Sequence, residues 1–228
     1  MTGNKVQENE ADNVEIRRIQ LSDHDEVLHF LRTHFYREEP LTIGSEPKEQ
    51  DKEDEKFNMS QIAHGTSLMA VTESTAGGKR DRIAGVLLSG PTSSNEAEHL
   101  FEEAARLGPT KWGKALQLLA CTARDSNVCG RYNVAKTLYI HILAVDAEMR
   151  GRAIAARLIE EVKKLGRQVG YPLMTVDCTS YYSARLCERL GMECINVVQY
   201  ENYLDKEGKP VFSPPPPHDC LKTFAIRL

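Results

Sequence analysis

Between Lys136 and Asp177 the chain runs through an apolar stretch, a short arginine- and glycine-bearing loop, an amphipathic stretch and a second apolar stretch, and few architectures accept that succession. Lys136 to Val145 (KTLYIHILAV) is apolar on both parities, which predicts a central strand covered on both faces. From about Gly151 to Gln168 the residues Ile154, Leu158, Ile159, Val162 and Leu165 form one helical stripe, with Glu160 and Lys164 placed to pair at i, i+4 on the other side. Gly170-Tyr171-Pro172 ends that helix, and Leu173 to Asp177 supplies the next strand. The product is a βαβ unit with a right-handed crossover, so the chain belongs to an α/β class.

The rest of the sequence adds elements around that unit. Val14 to Ile19 predicts a first strand, and Ser22 or Asp23 a cap for a helix carrying Val27, Leu28, Leu31 and Phe35 that runs out before Pro40. Ser67 to Thr72 and Asp81 to Ser89 flank a Thr-Ala-Gly-Gly-Lys turn and predict a hairpin. Helices follow at His99 to Leu107 and at Lys114 to about Ser126, broken by Gly108-Pro109. Beyond the unit come a short helix over Tyr182 to Leu190, a strand over Cys194 to Tyr203, a turn at 206–209 and a last strand over Leu221 to Arg227. Pro214 to Pro217 form a stiff segment between the last two strands, and the charged run Pro47 to Lys56 is a solvated helix face.

Hydrophobic residues make up 41% of the chain and charged residues 27%, the proportions of an ordinary globular domain. Residues 1–12 are polar and expected to be disordered, and 13–228 to form a single domain. A net charge of −4 argues against nucleic acid as partner and suits a cationic small molecule. The six cysteines form no C-x-x-C pair and no His/Cys cluster of zinc spacing, so no metal and no disulfide framework is expected. Neither a signal-peptide core nor a run of membrane-spanning length is present, which leads to an expectation of a cytoplasmic protein with no membrane contact. A monomer is expected, a dimer being the alternative.

Arg150-Gly151-Arg152-Ala153-Ile154-Ala155 lies between the buried strand and the helix. Loop N–H groups and a helix N-terminus converge there, which is how backbone binds an anion. Gly151, Ala153 and Ala155 are small enough to let a pyrophosphate approach, and Arg150 and Arg152 add positive charge. A Rossmann dinucleotide site would need G-x-G-x-x-G, which is absent.

Leu143-Ala144-Val145-Asp146 followed by Met149 to Ala155 resembles the acetyl-CoA signature of the GCN5-related N-acetyltransferase (GNAT) superfamily, Arg/Gln-x-x-Gly-x-Gly/Ala, with Ala153 in place of the first glycine. The resemblance covers nearly the whole chain and implies a central mixed, twisted sheet of about seven strands flanked by helices. It also implies acetyl-CoA as co-substrate. Main-chain groups of Leu143, Ala144 and Val145 would hold the pantetheine arm, and Arg150, Gly151, Arg152, Ala153, Ile154 and Ala155 the pyrophosphate.

Within the superfamily, His34-Phe35-Tyr36-Arg37-Glu38-Glu39-Pro40-Leu41 is similar to the aromatic segment ending Glu-Pro-Leu in insect arylalkylamine N-acetyltransferases. That likeness gives Glu39 the role of general base, oriented by Pro40. The same family has two hydroxyls four apart after its next strand, here Thr179 and Ser183, with Ser183 assisting thiolate departure. It also has Pro-Pro-His before its last strand, here ending in His218, a proton shuttle. Cys187 stands where many superfamily members place a tyrosine acid. Phe35, Tyr36, Pro40, Tyr181 and Tyr182 would wall the acceptor. The implied acceptors are arylalkylamines such as dopamine, tyramine, octopamine or serotonin. Polyamines and agmatine are alternatives, as is an acyl-CoA-binding protein without turnover. A thiol relay through Cys187 and a protein N-terminal or histone acceptor are further rivals.

Overall fold

The strand from Lys136 to Val145 (β4) does not keep a single alternation along its length. Leu88 faces Ile142 and the next residue, Ser89, faces Ile140, so His141 is an extra residue bulged out of the ladder. A bulge reverses which side chains point to which face. Leu138 and Ile140 therefore join one core cluster while Ile142 and Ala144 join another on the opposite face. The apolar run on both parities has this as a second cause, beside burial of both faces.

The structure, a computed structural model, describes residues 14–45, 52–72 and 82–228. The expected tail, the Thr75 to Lys79 turn and the first part of the charged run lie outside them. The strands are β1 (Val14–Arg18), β2 (Leu68–Thr72), β3 (Arg82–Ser93), β4, β5 (Leu173–Cys178), β6 (Glu193–Gln199) and β7 (Cys220–Arg227). They form one seven-stranded sheet in the order β1-β2-β3-β4-β5-β7-β6. Among the described residues only the β4–β5 pair is parallel.

The helices are α1 (His24–His34), α2 (Pro40–Ile43), α3 (Lys52–Ser60), α4 (Glu96–Leu107), α5 (Lys111–Ser126), α6 (Val128–Tyr132), α7 (Ile154–Gln168) and α8 (Tyr181–Arg189). The stripe of α7 buries Leu158, Ile159 and Val162 against Leu138, Ile140, Met174 and Phe224. On the other face, α1 sets Val27 and Leu31 against Met69, Val86 and Ile142. A third cluster places Leu116 and Leu118 of α5 with Tyr200, Phe212 and Leu221. Among the described residues no helix is long and apolar enough to cross a membrane.

Several expected boundaries move for physical reasons. Helix α7 starts at Ile154 and not Gly151, because Gly151 (φ 80°) and Ala153 (φ 58°) are left-handed and cannot belong to a right-handed helix. Glu160 and Lys164 do not pair with each other: Lys163 bonds Glu160 at 2.8 Å and Lys164 bonds Glu161 at 2.7 Å, both at i, i+3. The strand expected to reach Tyr203 stops at Gln199, and Tyr200–Asn202 form a 3-10 turn whose Tyr200 side chain is core. Helix α6 was not expected. Asp23 does not cap α1 through its side chain; its carboxylate accepts from the Gln20 N–H at 2.7 Å and pairs with Arg17 at 2.8 Å.

The parallel ladder is short. β4 pairs with β5 only from Leu138↔Met174 to Ile140↔Val176, whereas on its other edge β4 stays paired with β3 as far as Gly85↔Val145. Beyond Ile140 the two parallel strands diverge, and the main chain of Leu143 to Val145 has no strand partner on that side. This gap positions the site.

Candidate active site

The gap opens into a cavity of about 720 Å³, a size ordinary for a small-molecule site. Its walls come from the end of α1 and the segment after it (His34, Phe35, Glu38, Glu39, Pro40), from β4 (Leu143, Ala144, Val145), and from Arg150 and Ala155. The tip of β5, the start of α8 and His218 complete it, contributing Thr179, Ser180, Tyr182 and Ser183. Sequence-distant residues expected to act together are thus brought to one enclosure.

Glu39 lines the cavity and also caps a helix. Its Oε1 accepts from the Leu41 N–H at 3.0 Å, and Oε2 accepts from the Thr42 N–H at 2.6 Å and the Thr42 hydroxyl at 2.7 Å. Pro40 takes the first helical position, where its missing N–H costs nothing. A carboxylate has about four acceptor sites, so three donors leave capacity for a water. The signal for the cap, an acceptor followed by proline at N1, was present in the sequence.

Phe35 and Pro40 line the cavity as expected, but Tyr36 does not: it is buried in the α1 core cluster, and its hydroxyl accepts from Asn58 at 3.2 Å. Tyr182, 65% exposed, lines the cavity at its rim, while Tyr181 is not among the lining residues. What Tyr181 contributes is its main-chain N–H, which donates to His218 Nδ1 at 3.2 Å. That bond fixes the tautomer, leaving Nε2 to carry the ring proton. Tyr182 packs edge-on against the His218 ring at 5.7 Å.

Ser180, not Ser183, caps α8, accepting from the Ser183 N–H at 3.0 Å. The Ser183 hydroxyl lies 2.9 Å from Ser180 Oγ and donates to the Ser180 carbonyl at 3.0 Å. Tyr200 donates to the Thr179 carbonyl at 2.7 Å, which steadies the turn carrying Thr179 and Ser183. Cys187 is buried in the core, its sulfur 3.6 Å from that of Cys178.

The loop leads into a helix start without a side-chain cap. Ala153 provides no side-chain cap to α7, so the first N–H groups of the helix keep their donors free. Ile154 turns its side chain into the core, touching the space above Gly85, so only its main chain faces the loop. Arg150 forms an ion pair with Glu38 at 2.6 Å and reaches the Val145 carbonyl at 3.4 Å, joining the loop to the segment that holds Glu39. Arg152 is exposed and lies outside the cavity lining. Asp146 anchors the loop start: burial opposes its ionisation, but the Glu148 N–H and the Arg82 guanidinium more than compensate and hold its carboxyl low.

A left-handed alanine is strained by roughly 1 kcal/mol relative to glycine. Ala153→Gly is therefore expected to leave thermal stability unchanged or raise it by up to about 1 kcal/mol, instead of the loss a glycine usually brings. Chemical denaturation of both proteins checks this. A loss of about 1 kcal/mol would mean that Ala153 carries a packing role beyond its backbone angle.

Three residues not assigned to the site from the sequence sit where the strands part, among them His141, expected as a satisfied core imidazole but with no partner for its Nε2 among the described residues. Asp177 lies at the tip of β5, where burial pushes its carboxyl up to about 6 against the lowering effect of Thr223 and Tyr139. Tyr139 donates to Asp177 at 2.9 Å, and burial raises its phenol well above the usual range. Burial also drives His141 down to about 3, so its ring is neutral at physiological pH. An acid inside an otherwise apolar strand was the available signal for Asp177.

Comparison with known proteins agrees with this geometry. Residues 25–192 match the model of the acetyltransferase (GNAT) family. A Drosophila melanogaster polyamine N-acetyltransferase that forms N-acetylagmatine is 39% identical, with a TM-score of 0.87 over 94% of this chain and 100% of its own. A mosquito arylalkylamine N-acetyltransferase-like protein is 34% identical, with a TM-score of 0.86 over 94% of this chain and 100% of its own. An agmatine N-acetyltransferase in its apo form is 39% identical, with a TM-score of 0.89 over 95% of this chain and 100% of its own. With the parted strands, the uncapped helix over a left-handed loop and a match spanning most of its length, the chain belongs to the GNAT family of acetyltransferases.

Proposed function

We propose that the chain transfers an acetyl group from acetyl-CoA to a small primary amine by direct attack within a ternary complex. The observation that carries this reading is the parting of β4 and β5 into a cavity that Glu39 lines. The free N–H groups at the start of α7 and the left-handed Gly151 and Ala153 fit a pyrophosphate, and the unpaired edge of Leu143 to Val145 fits a pantetheine arm. An N–H on that edge would polarise the thioester carbonyl.

An alkylamine is mostly protonated at neutral pH, since a lysine-like amine has a pKa of about 10.4. Glu39 removes that proton, directly or through one water, and the freed nitrogen forms the C–N bond as the C–S bond breaks. Attack leaves the nitrogen with one proton too many, and that proton reaches the departing sulfur by relay: the Ser183 hydroxyl, once it has exchanged its bond to Ser180, donates a proton to sulfur as it takes one up through water. Glu39 then passes the amine's proton to solvent through water, and His218, whose Nδ1 accepts from the Tyr181 N–H, offers its Nε2–H as a donor at the rim. Cys187 and Cys178 line the cavity, but their sulfurs are in contact at 3.6 Å and both residues are almost wholly buried, which disfavours a thiol relay because a buried thiol is a poor nucleophile.

Initial rates with both substrates varied test this reading. Intersecting lines are expected, with no acetyl group retained on the protein when the amine is omitted. Parallel lines with an acetylated cysteine would replace direct transfer by the thiol route, and CoA binding without product from any amine would leave only a binding protein.

Ring-bearing and doubly cationic amines are the two acceptor classes. Phe35, Phe57 and Trp112 line the cavity and suit either. A second reading, the doubly cationic one, is favoured by the 39% identity with the agmatine and polyamine N-acetyltransferases.

A further inference from the structure

Two contacts tie the segment after α1 to the end of β4. Arg150 joins Glu38 to the Val145 carbonyl, and His34, the last residue of α1, faces the residue that follows Val145: its Nδ1 lies 3.8 Å from Asp146 Oδ1. His34 lines the same cavity as Glu39. The chain between them is a tight turn in which the Glu39 N–H donates to the Phe35 carbonyl at 2.9 Å. The base and the imidazole therefore stand about one helical turn apart along the same segment.

The surroundings of His34 suit a proton. Its side chain is 21% exposed, its ring packs on Phe30 at 4.7 Å, and its nitrogens have no hydrogen bond among the described residues. Asp146 is almost wholly buried; burial opposes its ionisation, but the Glu148 N–H at 3.0 Å and the Arg82 guanidinium at 2.5 Å outweigh it. Arg82 also pairs with Glu148 at 2.6 Å, so Asp146, Arg82 and Glu148 together present one negative charge to the ring. Arg150 is paired with Glu38 and, on α3, Glu55 with Arg32, and these pairs add no net charge. The remaining charged residues of the cavity wall are Arg37 and Lys111 against Glu39, Asp54 and Asp177, again without an excess of positive charge. An imidazolium formed at His34 meets net negative charge, which favours it.

We propose that His34 is a positioning residue for proton release: it holds the proton that Glu39 has taken from the amine, with Asp146 opposite its Nδ1, before that proton reaches bulk water. The proposal rests on the acetyl-transfer reading above and adds a stage to the water path from Glu39. With the Nδ1–H directed at Asp146, Nε2 keeps its lone pair. The proton leaves the Glu39 carboxyl through water, and the Nε2 lone pair takes it. The imidazolium then gives the Nε2 proton to bulk water and returns to its neutral form, and Glu39 is left ionised for the next amine. No electron changes hands and no other bond breaks.

Chemical rescue tests this stage in a way that a packing role would not answer to. His34→Gln keeps a polar side chain of similar length that cannot carry the proton. In dilute buffer it should lower kcat for a primary amine about tenfold, a modest part of what positioned acid–base groups contribute. Both Michaelis constants should stay within about twofold, because no binding contact is lost. Added imidazole, or another small neutral base, should restore most of the lost kcat in the variant and leave the wild type unchanged. Thermal unfolding confirms that the variant is folded, and His34→Asn repeats the test if it is not. A loss that no small base restores, an equal gain by the wild type, or no loss at all would overturn the relay while leaving acetyl transfer intact. If the wild type acetylates no amine, the acetyl-transfer reading fails and the relay falls with it.

Discussion

Glu39→Gln is expected to lower kcat/KM for a primary amine by about 10²- to 10³-fold near neutral pH, within the range that a positioned general base contributes. Glutamine keeps one oxygen able to accept from the Leu41 or Thr42 N–H, so α2 loses only part of its cap, at a stability cost of about 1 kcal/mol. That separates the chemical role from the structural one, which an alanine would not. The pH dependence carries the argument. Free amine rises tenfold per pH unit below the amine's own pKa of about 10.4, so a variant that cannot take the proton recovers as pH rises. The deficit relative to wild type should therefore narrow steadily between pH 7 and 9.5. An equal deficit at both ends would remove Glu39 as base and leave it a helix cap.

The second large effect lies at a residue that touches no substrate. A Cβ at Gly85 would meet Ile154 Cγ2 at 3.0 Å, Leu158 Cδ1 at 3.1 Å and the Ala144 carbonyl at 3.2 Å. Those side chains fix the first turn of α7, and the carbonyl lies against β3 in the ladder beside the parted strands. Gly85→Val adds two methyl groups beyond that Cβ, and overpacking of this kind costs about 1–3 kcal/mol. The strain should fall on the start of α7, so the KM for acetyl-CoA is expected to rise about tenfold while that for the amine changes little. Thermal unfolding together with both Michaelis constants decides it. A rise confined to the amine constant would show that α7 does not carry the cofactor loop.

The elements with the strongest periodicity were the ones most legible in the sequence. β4 and β5 were placed almost residue for residue and α7 at its C-terminal end, because a buried strand and a stripe at 3.6-residue spacing leave few alternatives. Helix α6 escaped because it is five residues long and ends at left-handed asparagines, Asn127 (φ 39°) and Asn133 (φ 53°), which act where a glycine would have been noticed. The bulge at His141 left no mark on the apolar pattern, since residues on both parities of β4 were apolar already. It nonetheless decides that Ile140 and Ile142 fall on opposite faces of the sheet.

The outline of the site was legible through motifs, and its side-chain details were not. Glu39, Ser183 and His218 reach one cavity from three separate segments. Their actual bonds follow from local geometry that spacing does not encode: Glu39 caps α2, Ser180 takes the cap of α8 that Ser183 might have held, and His218 binds a main-chain donor. Tyr36 and Tyr181 illustrate the same limit. Adjacent aromatics point in different directions, so one of each pair lines the cavity while the other packs in the core or faces solvent.

The most direct measurement is product analysis after purified protein is incubated with acetyl-CoA and a panel of primary amines, some ring-bearing and some doubly cationic. One free CoA thiol per N-acetylated amine is expected, with no thiol release when the amine is omitted. Binding of acetyl-CoA with no N-acetyl product from any amine in the panel would contradict the proposed transfer.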